Sequence, residues 1–432
     1  MKLPKTKSKT IFVLAATGSA VGMANVWGFP YKFHKGGIFF LIFYLIFISL
    51  FSYVGLSSEF AVGRLGKGSV VKSYEKAIKT GHPKSKLAKY YGYLPLIISL
   101  IIAVGYTIIV SYVAKALVDT INGTLLMNPP AVWFEEFSSR SFAVMEIHLL
   151  IIVMVVLISL GGFKSVQKLN SVLMPSMILI YLIVLFKMLT LPNIGEGYKL
   201  LFRFDLKDFN IGTAISAMGD TLFALSITGF GMIFVGRMLT DDHDIVSNSA
   251  LTGLFDTIVA LLSAFIIVPS IVVFSMANAE GPALIFHILP SIFNSMKVGR
   301  GFAVLFYMAI IMAGMTSLQT IFESIAHTLN QEFKINDKTA LILVGTTVLL
   351  LGVDLHPLAR WSNLMDITIY YLIPLGAMLG AVVWFYIMDP KVLLKEINLG
   401  AKKKKTSNFI SLGKYLYTPL VIVVCLASIL FH

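Results

Sequence analysis

Apolar residues in this chain run in long blocks, and the charged residues collect in the gaps between them. A hydrocarbon core about 30 Å thick takes roughly 20 mostly apolar helical residues per crossing. Stretches of that kind lie at 11–33, 37–62, 92–120, 142–160, 171–190, 211–236, 247–275, 300–328, 339–353, 363–387 and 411–431. The pattern predicts an all-α polytopic membrane protein of about eleven passes, the ninth being the shortest. Lys2, Lys5, Lys7 and Lys9 precede the first block, as in a secretory leader. That reading is rejected because no small-residue cleavage site follows and Gly18, Gly22 and Pro30 interrupt the run. With the N-terminus inside, the connections at 63–91, 161–170, 237–246, 329–338 and 388–410 are cytoplasmic. Together with the N-terminal tail they hold roughly two thirds of the Lys and Arg, a positive-inside bias. The expected location is the plasma membrane, with His432 outside and Lys402 to Lys405 as a juxtamembrane anchor.

Composition agrees with lipid as the missing solvent. Of 432 residues, 57% are hydrophobic and only 13% are Asp, Glu, Lys or Arg, against roughly a quarter charged in a soluble domain. This excludes a soluble enzyme. The net charge of +13 is an orientation signal rather than a nucleic-acid footprint. One cysteine, Cys425, excludes an internal disulfide framework and a cysteine-cluster metal site. His82, His148, His243, His287, His327 and His356 show neither paired ligand spacing nor a nucleophile constellation, so no enzyme activity and no organic cofactor are expected.

Two blocks are broken in the middle. The first reads TGSAVGMANVWGFP (Thr17 to Pro30), the sixth GDTLFALSITGFG (Gly219 to Gly231). Every backbone polar group in lipid must be bonded internally, so such breaks survive only where they are packed in protein or line a polar cavity. A plain packing role for the glycines is the competing explanation. Five passes separate the two breaks. A Gly-interrupted helix opening each half of a five-plus-five arrangement is the pointer to an inverted-repeat secondary transporter. The expected layout is a cytoplasmic tail (1–10), a first five-helix repeat (11–190), an extracellular connection (191–210), a second repeat (211–387), a basic cytoplasmic loop (388–410) and an eleventh pass (411–432). Breaking a helix frees N–H groups that hold a carboxylate and C=O groups that hold a small hard cation. Asn25, Thr316 and Ser317 add side-chain oxygens of the kind sodium requires.

These residues resemble a known family. GSAVGMANVWGFPY is similar to the first-helix signature of the neurotransmitter:sodium symporters, in particular their bacterial, leucine-transporter-like members. The likeness extends from about Lys9 to the end. It takes in GLSSEFAVGR (Gly55 to Arg64), VGYTIIVSY (Val104 to Tyr112), GFGMIF with DDHDIV, EGPALIFHILP (Glu280 to Pro290) and AGMTS (Ala313 to Ser317). The resemblance implies the leucine-transporter-like fold with broken helices 1 and 6. It also implies two sodium sites: Gly18, Val21, Ala313, Thr316 and Ser317 for one, Ala20, Asn25, Ala224 and Asp256 for the other. It implies that amides near Met23 and Ala24, with Tyr106, hold a substrate carboxylate, and that carbonyls near Ala20, Phe223 and Ser226 take its amine. Met23, Ile102, Phe223, Phe230, Ser317, Leu318 and Ile321 then surround the side chain, an apolar pocket with polar groups at one end.

Departures from the family pattern alter charge. Asp256 stands where a neutral Asn is usual and Asp220 where Gln is usual, while Ala260 occupies the position of the bacterial Glu that replaces chloride. Asp220 or Asp256 is therefore expected to supply that charge, making transport chloride-independent. The outer gate's Arg position is Gly28. Lys32, one turn further, is expected to reach Asp366 instead. At the inner gate Leu3 and Thr6 replace the usual Arg and Trp, and Gln331 the usual acid, leaving Lys5 or Lys7 with Glu332 as a substitute. LSITGFG carries one residue more than the usual break, so the register of Thr228 to Gly231, and with it the place of Phe230, is open by one residue. The expected function is sodium-coupled import of an amino acid, hydrophobic or aromatic, by alternating access. A proton-coupled transporter, a carrier of amines or cations, and a non-transporting sensor are the alternatives. Lipid bilayer and a small amino acid are the expected partners.

Overall fold

The computed structural model describes residues 8–127, 129–161, 163–273, 281 and 284–431. All eleven expected stretches are helical, and no strand occurs among the described residues. Among the described residues, eight helices are each long and apolar enough to cross a membrane. Ala24–Gly66 contains the outer half of the first pass and the whole of the second. They are parted at Gly37, where φ is +53° and a Cβ would fall 2.6 Å from the Arg203 carbonyl oxygen. Only glycine takes that conformation at so close an approach. The fourth pass, Met145–Leu160, is shorter, and the first and sixth are each made of two halves.

Side-chain caps set where several passes begin. Ser8 accepts from the Ile11 amide at the start of the first, Asn210 from the Thr213 amide at the sixth, and Asn336 from the Thr339 amide at the ninth. Each satisfies one of the N–H groups a helix start leaves without an intrahelical partner. The third pass, Tyr93–Asn122, runs along the eighth, Gly299–Phe333; the broken first pass packs against the eighth and the seventh, Ile245–Val273, and the broken sixth packs along the second. Large apolar side chains such as Leu149, Leu157, Leu179, Phe186 and Leu350 are exposed on the fourth, fifth and ninth passes. These helices present the lipid-facing surface, whereas the broken passes are shielded.

Candidate binding site at the two helix breaks

The inner half of the first pass, Lys9–Ala20, ends at Val21, whose ψ of 126° leaves the helix. The chain resumes helical form at Met23. The outer half of the sixth pass, Ile211–Ala224, gives way to Leu225–Phe230, where Ser226 (φ +51°) and Gly229 (φ +73°) turn the backbone left-handed. Its inner half is Gly231–Gly236. The two breaks touch: Ser226 Oγ lies 3.3 Å from the Ser19 carbonyl oxygen, to which it donates. Glu59, fully buried on the second pass, accepts from the Gly229 amide at 2.8 Å and so satisfies a donor freed by the break. The inner half of the sixth pass is pressed against the second so closely that a Cβ at Gly63 would fall 2.0 Å from the Ile233 carbonyl oxygen.

One cluster of oxygens forms where the first break meets the eighth pass. Thr316 Oγ1 donates to the carbonyls of Gly18 at 2.7 Å and Ala313 at 2.8 Å. Ser317 Oγ lies 2.9 Å from the Val21 carbonyl oxygen and 3.3 Å from that of Gly18. The structure thus brings together all five residues expected for one sodium site. Their donor set is neutral oxygen throughout, and each hydroxyl keeps lone pairs to offer a cation.

A second cluster joins the first break to the seventh pass. Asn25 Oδ1 accepts from the Gly22 amide at 2.9 Å, while its Nδ2 donates to Asp256 Oδ1 at 2.9 Å. Tyr44 donates to Asp256 Oδ2 at 3.2 Å. Ala20 and Ala224 are the last residues of their half-helices, the ends where carbonyls lose intrahelical partners.

Between the breaks lies an enclosed cavity of about 50 Å³. At its polar end the Tyr106 hydroxyl accepts from the Met23 amide at 2.7 Å. Ala20, Met23, Ala24, Ile102, Tyr106, Phe223, Ser226, Ser317 and Ile321 line it as expected, with Ser99, Thr228, Gly231 and Ile373 besides. Phe230 and Leu318 are corrections: both are fully buried but are not among the lining residues. Thr228 and Gly231, on either side of the left-handed Gly229, are the residues of this stretch at the wall. Leu318 sits about 100° around the eighth helix from Ser317, whereas Ile321, four residues on, shares the Ser317 face. The carbonyls of Phe223 and Ser226 each accept from a nearby amide of the break, those of Ser226 and Thr228.

Above this cavity is an outer one of about 430 Å³, lined in part by Trp27, Lys32, Asp220, Trp361 and Asp366. Met23, Tyr106 and Phe223 line both cavities and form the wall between them. Lys32 Nζ pairs with Asp220 Oδ1 at 2.8 Å, and Asp366, its expected gate partner, lines the same cavity. Asp220 is only 1% exposed, so its carboxylate gains strongly from a neighbouring cation. Gly28 borders this pair: a Cβ there would lie 3.6 Å from Asp220 Oδ1, an ordinary contact. On the cytoplasmic side, Leu3, Lys5, Thr6 and Lys7 lie outside the described residues. Gln331 and Glu332 both bond Ser69, through its amide at 2.7 Å and its hydroxyl at 2.8 Å.

Sequence reasoning missed Glu59 as the anchor of the sixth break. A carboxylate inside a pass is itself a signal, but its partner lies 170 positions away.

Two broken helices, a shared polar chamber and an oxygen cluster at each side define a secondary transporter of the inverted-repeat kind. The profile of the Sodium:neurotransmitter symporter family matches residues 4–136 and 136–432, and the chain belongs to that family. An uncharacterized sodium-dependent transporter of Bacillus subtilis, YhdH, is 27% identical over 92% of this chain and 91% of its own length. An uncharacterized sodium-dependent transporter of Haemophilus influenzae is 26% identical over 80% of this chain and 78% of its own. A crystal structure of MhsT in complex with L-phenylalanine superposes with a TM-score of 0.88, at 24% identity, covering 98% of this chain and 99% of that one. The fold is the leucine-transporter-like five-plus-five arrangement, and the chain is a multi-pass, sodium-dependent transporter.

Proposed function

We propose that this protein is a plasma-membrane symporter that imports a hydrophobic amino acid, aliphatic or aromatic, with two sodium ions, by alternating access. The observation that carries this reading is the enclosed cavity at the breaks, with the Met23 amide and Tyr106 hydroxyl at one end and Ile102, Phe223, Ile321 and Ile373 around the rest. Half-helix N-termini favour a carboxylate there, and the apolar walls favour an apolar side chain. No carboxylate lines the cavity among the described residues. Asp256 is turned instead to Asn25 and Tyr44. This favours a ligand that brings its own carboxylate over a simple amine. One sodium binds at Gly18, Val21, Ala313, Thr316 and Ser317, the other at Ala20, Asn25, Ala224 and Asp256. Asp256 and the Lys32-paired Asp220 carry the negative charge that makes chloride unnecessary.

A thermal-shift screen of the twenty standard amino acids, with sodium or with choline, tests this. Ligand linkage raises stability only for binders. A sodium-enhanced shift by apolar amino acids is expected. A shift by amines alone, or one equal in choline, contradicts the proposal.

A further inference from the structure

The cytoplasmic ends of these helices enclose a second, larger cavity of about 500 Å³. Its mouth is at Asn336 and Lys338, both exposed in the turn between the eighth and ninth passes, and Leu160 and Leu341 give it an apolar wall. Its floor carries charge. Arg237 follows Gly231 by six residues on the sixth pass, and Glu323 follows Ser317 by six on the eighth. At 1.5 Å per helical residue, each lies about 9 Å to the cytoplasmic side of the central cavity. Arg237 is 7% exposed and Glu323 8%. The guanidinium is held over the Phe234 ring at 3.8 Å. Arg237 and Glu323 act on each other electrostatically, yet among the described residues Arg237 Nε and Nη1 have no hydrogen-bond partner, and neither have Glu323 Oε1 and His327 Nδ1.

Buried charge without partners is strongly disfavoured, so these groups suit a molecule that enters from outside. A simple anion satisfies Arg237 but meets Glu323 and Asp337 in the same cavity, and a simple cation meets Arg237. A zwitterion satisfies both signs at once. We propose that this cavity is a second binding site for a zwitterionic amino acid, its carboxylate on Arg237, its ammonium on Glu323 and its side chain against Leu160 and Leu341. Placed below the central cavity on two of the helices that flank it, the site receives the transported molecule on its way to the cytoplasm. The inference rests on the amino-acid reading of the central cavity, but its oxygens do not belong to the sodium clusters, so this site binds without sodium.

Equilibrium dialysis of the full chain in lipid nanodiscs, with each of the twenty radiolabelled amino acids in turn, tests the proposal. For the amino acid that binds, two molecules per chain are expected in sodium and one in choline. The double variant R237Q/E323Q loses the choline-resistant site, by tenfold or more in affinity, and keeps the sodium-dependent one, which also shows that it is folded. The single variants R237Q and E323Q answer the same question should the double variant fail to fold. One molecule in sodium and none in choline overturns the second site alone, as does a choline-resistant site untouched by the variants. Displacement by chloride or inorganic phosphate, without displacement by the matching amine, reveals a plain anion site and overturns the zwitterion. Transport lost in R237E and restored in R237E/E323R, without a choline-resistant site, reveals an internal ion pair instead. Binding in neither salt overturns the central reading, and this inference with it.

Discussion

Tyr106 joins three functions in one hydroxyl: it accepts from the Met23 amide, it closes the polar end of the central cavity, and its ring forms part of the wall toward the outer cavity. Y106F leaves the Met23 amide without its acceptor, a loss of about 1–3 kcal/mol for a buried donor. Substrate affinity should fall roughly tenfold or more, given about 1.4 kcal/mol per decade, as read by substrate-dependent thermal shift in sodium. The Lys32–Asp220 pair makes a sharper demand. Among the described residues Asp220 Oδ2 has no hydrogen-bond partner, and the cation that offsets this buried carboxylate is Lys32. K32M should destabilise the protein by about 3 kcal/mol, as expected when one member of a largely buried pair is removed. K32M/D220N should recover most of that loss in a double-mutant cycle. Additive losses would show that the two residues act independently. D256N retains the shape of the cluster with Asn25 and Tyr44 but removes a charge. Its sodium dependence of substrate binding should move to concentrations at least about tenfold higher, the size expected of a lost charge-assisted contact.

The broken helices are where sequence and structure agree most closely, because a helix break is written locally. Glycines at Gly18 and Gly22, and at Gly229 and Gly231, sit where lipid would otherwise demand an unbroken apolar run. At Thr228 to Gly231 the residue pattern left the register open by one, because which residues reach the wall depends on the left-handed turn at Ser226. Partners far apart in sequence were not legible from residue pattern alone. Asn25 and Asp256 are 231 positions apart and were paired only through family resemblance. The pairing of Lys32 with Asp220, 188 positions away, was likewise not legible, because burial of the carboxylate is not encoded by helical spacing. Arg237 and Glu323 were passed over because neither belongs to a motif. At this scale the expected weak point is Gly229, where φ is +73° and a Cβ would fall 2.5 Å from the Tyr74 hydroxyl. G229A should cost about 1–2 kcal/mol or more, since both the backbone and the packing resist it. It should also lower transport, measured as initial uptake rate beside the melting temperature. Wild-type stability with wild-type uptake would contradict the role given to the break.

Across the whole molecule, the passes divide into a lipid-facing set and a shielded set that holds the breaks. The outer cavity reaches down to Met23, Tyr106 and Phe223, and the central cavity begins on their other side, so a thin partition of three side chains separates the chamber from the outside. The cytoplasmic cavity lies below, bounded by the continuation of the sixth and eighth passes. Cavities on either side of a central site suit the alternating access proposed above. The orientation proposed for these cavities follows the expected positive-inside bias, to which the basic residues of the 388–410 connection contribute. The most direct measurement is coupled flux in proteoliposomes: uptake of the amino acid found by the binding screen, driven by an imposed inward sodium gradient at constant pH. Accumulation above the external concentration, collapsing when sodium is equilibrated or replaced by choline, is the predicted result. Uptake that persists in choline and follows a proton gradient, or sodium-enhanced binding without any flux, would contradict it.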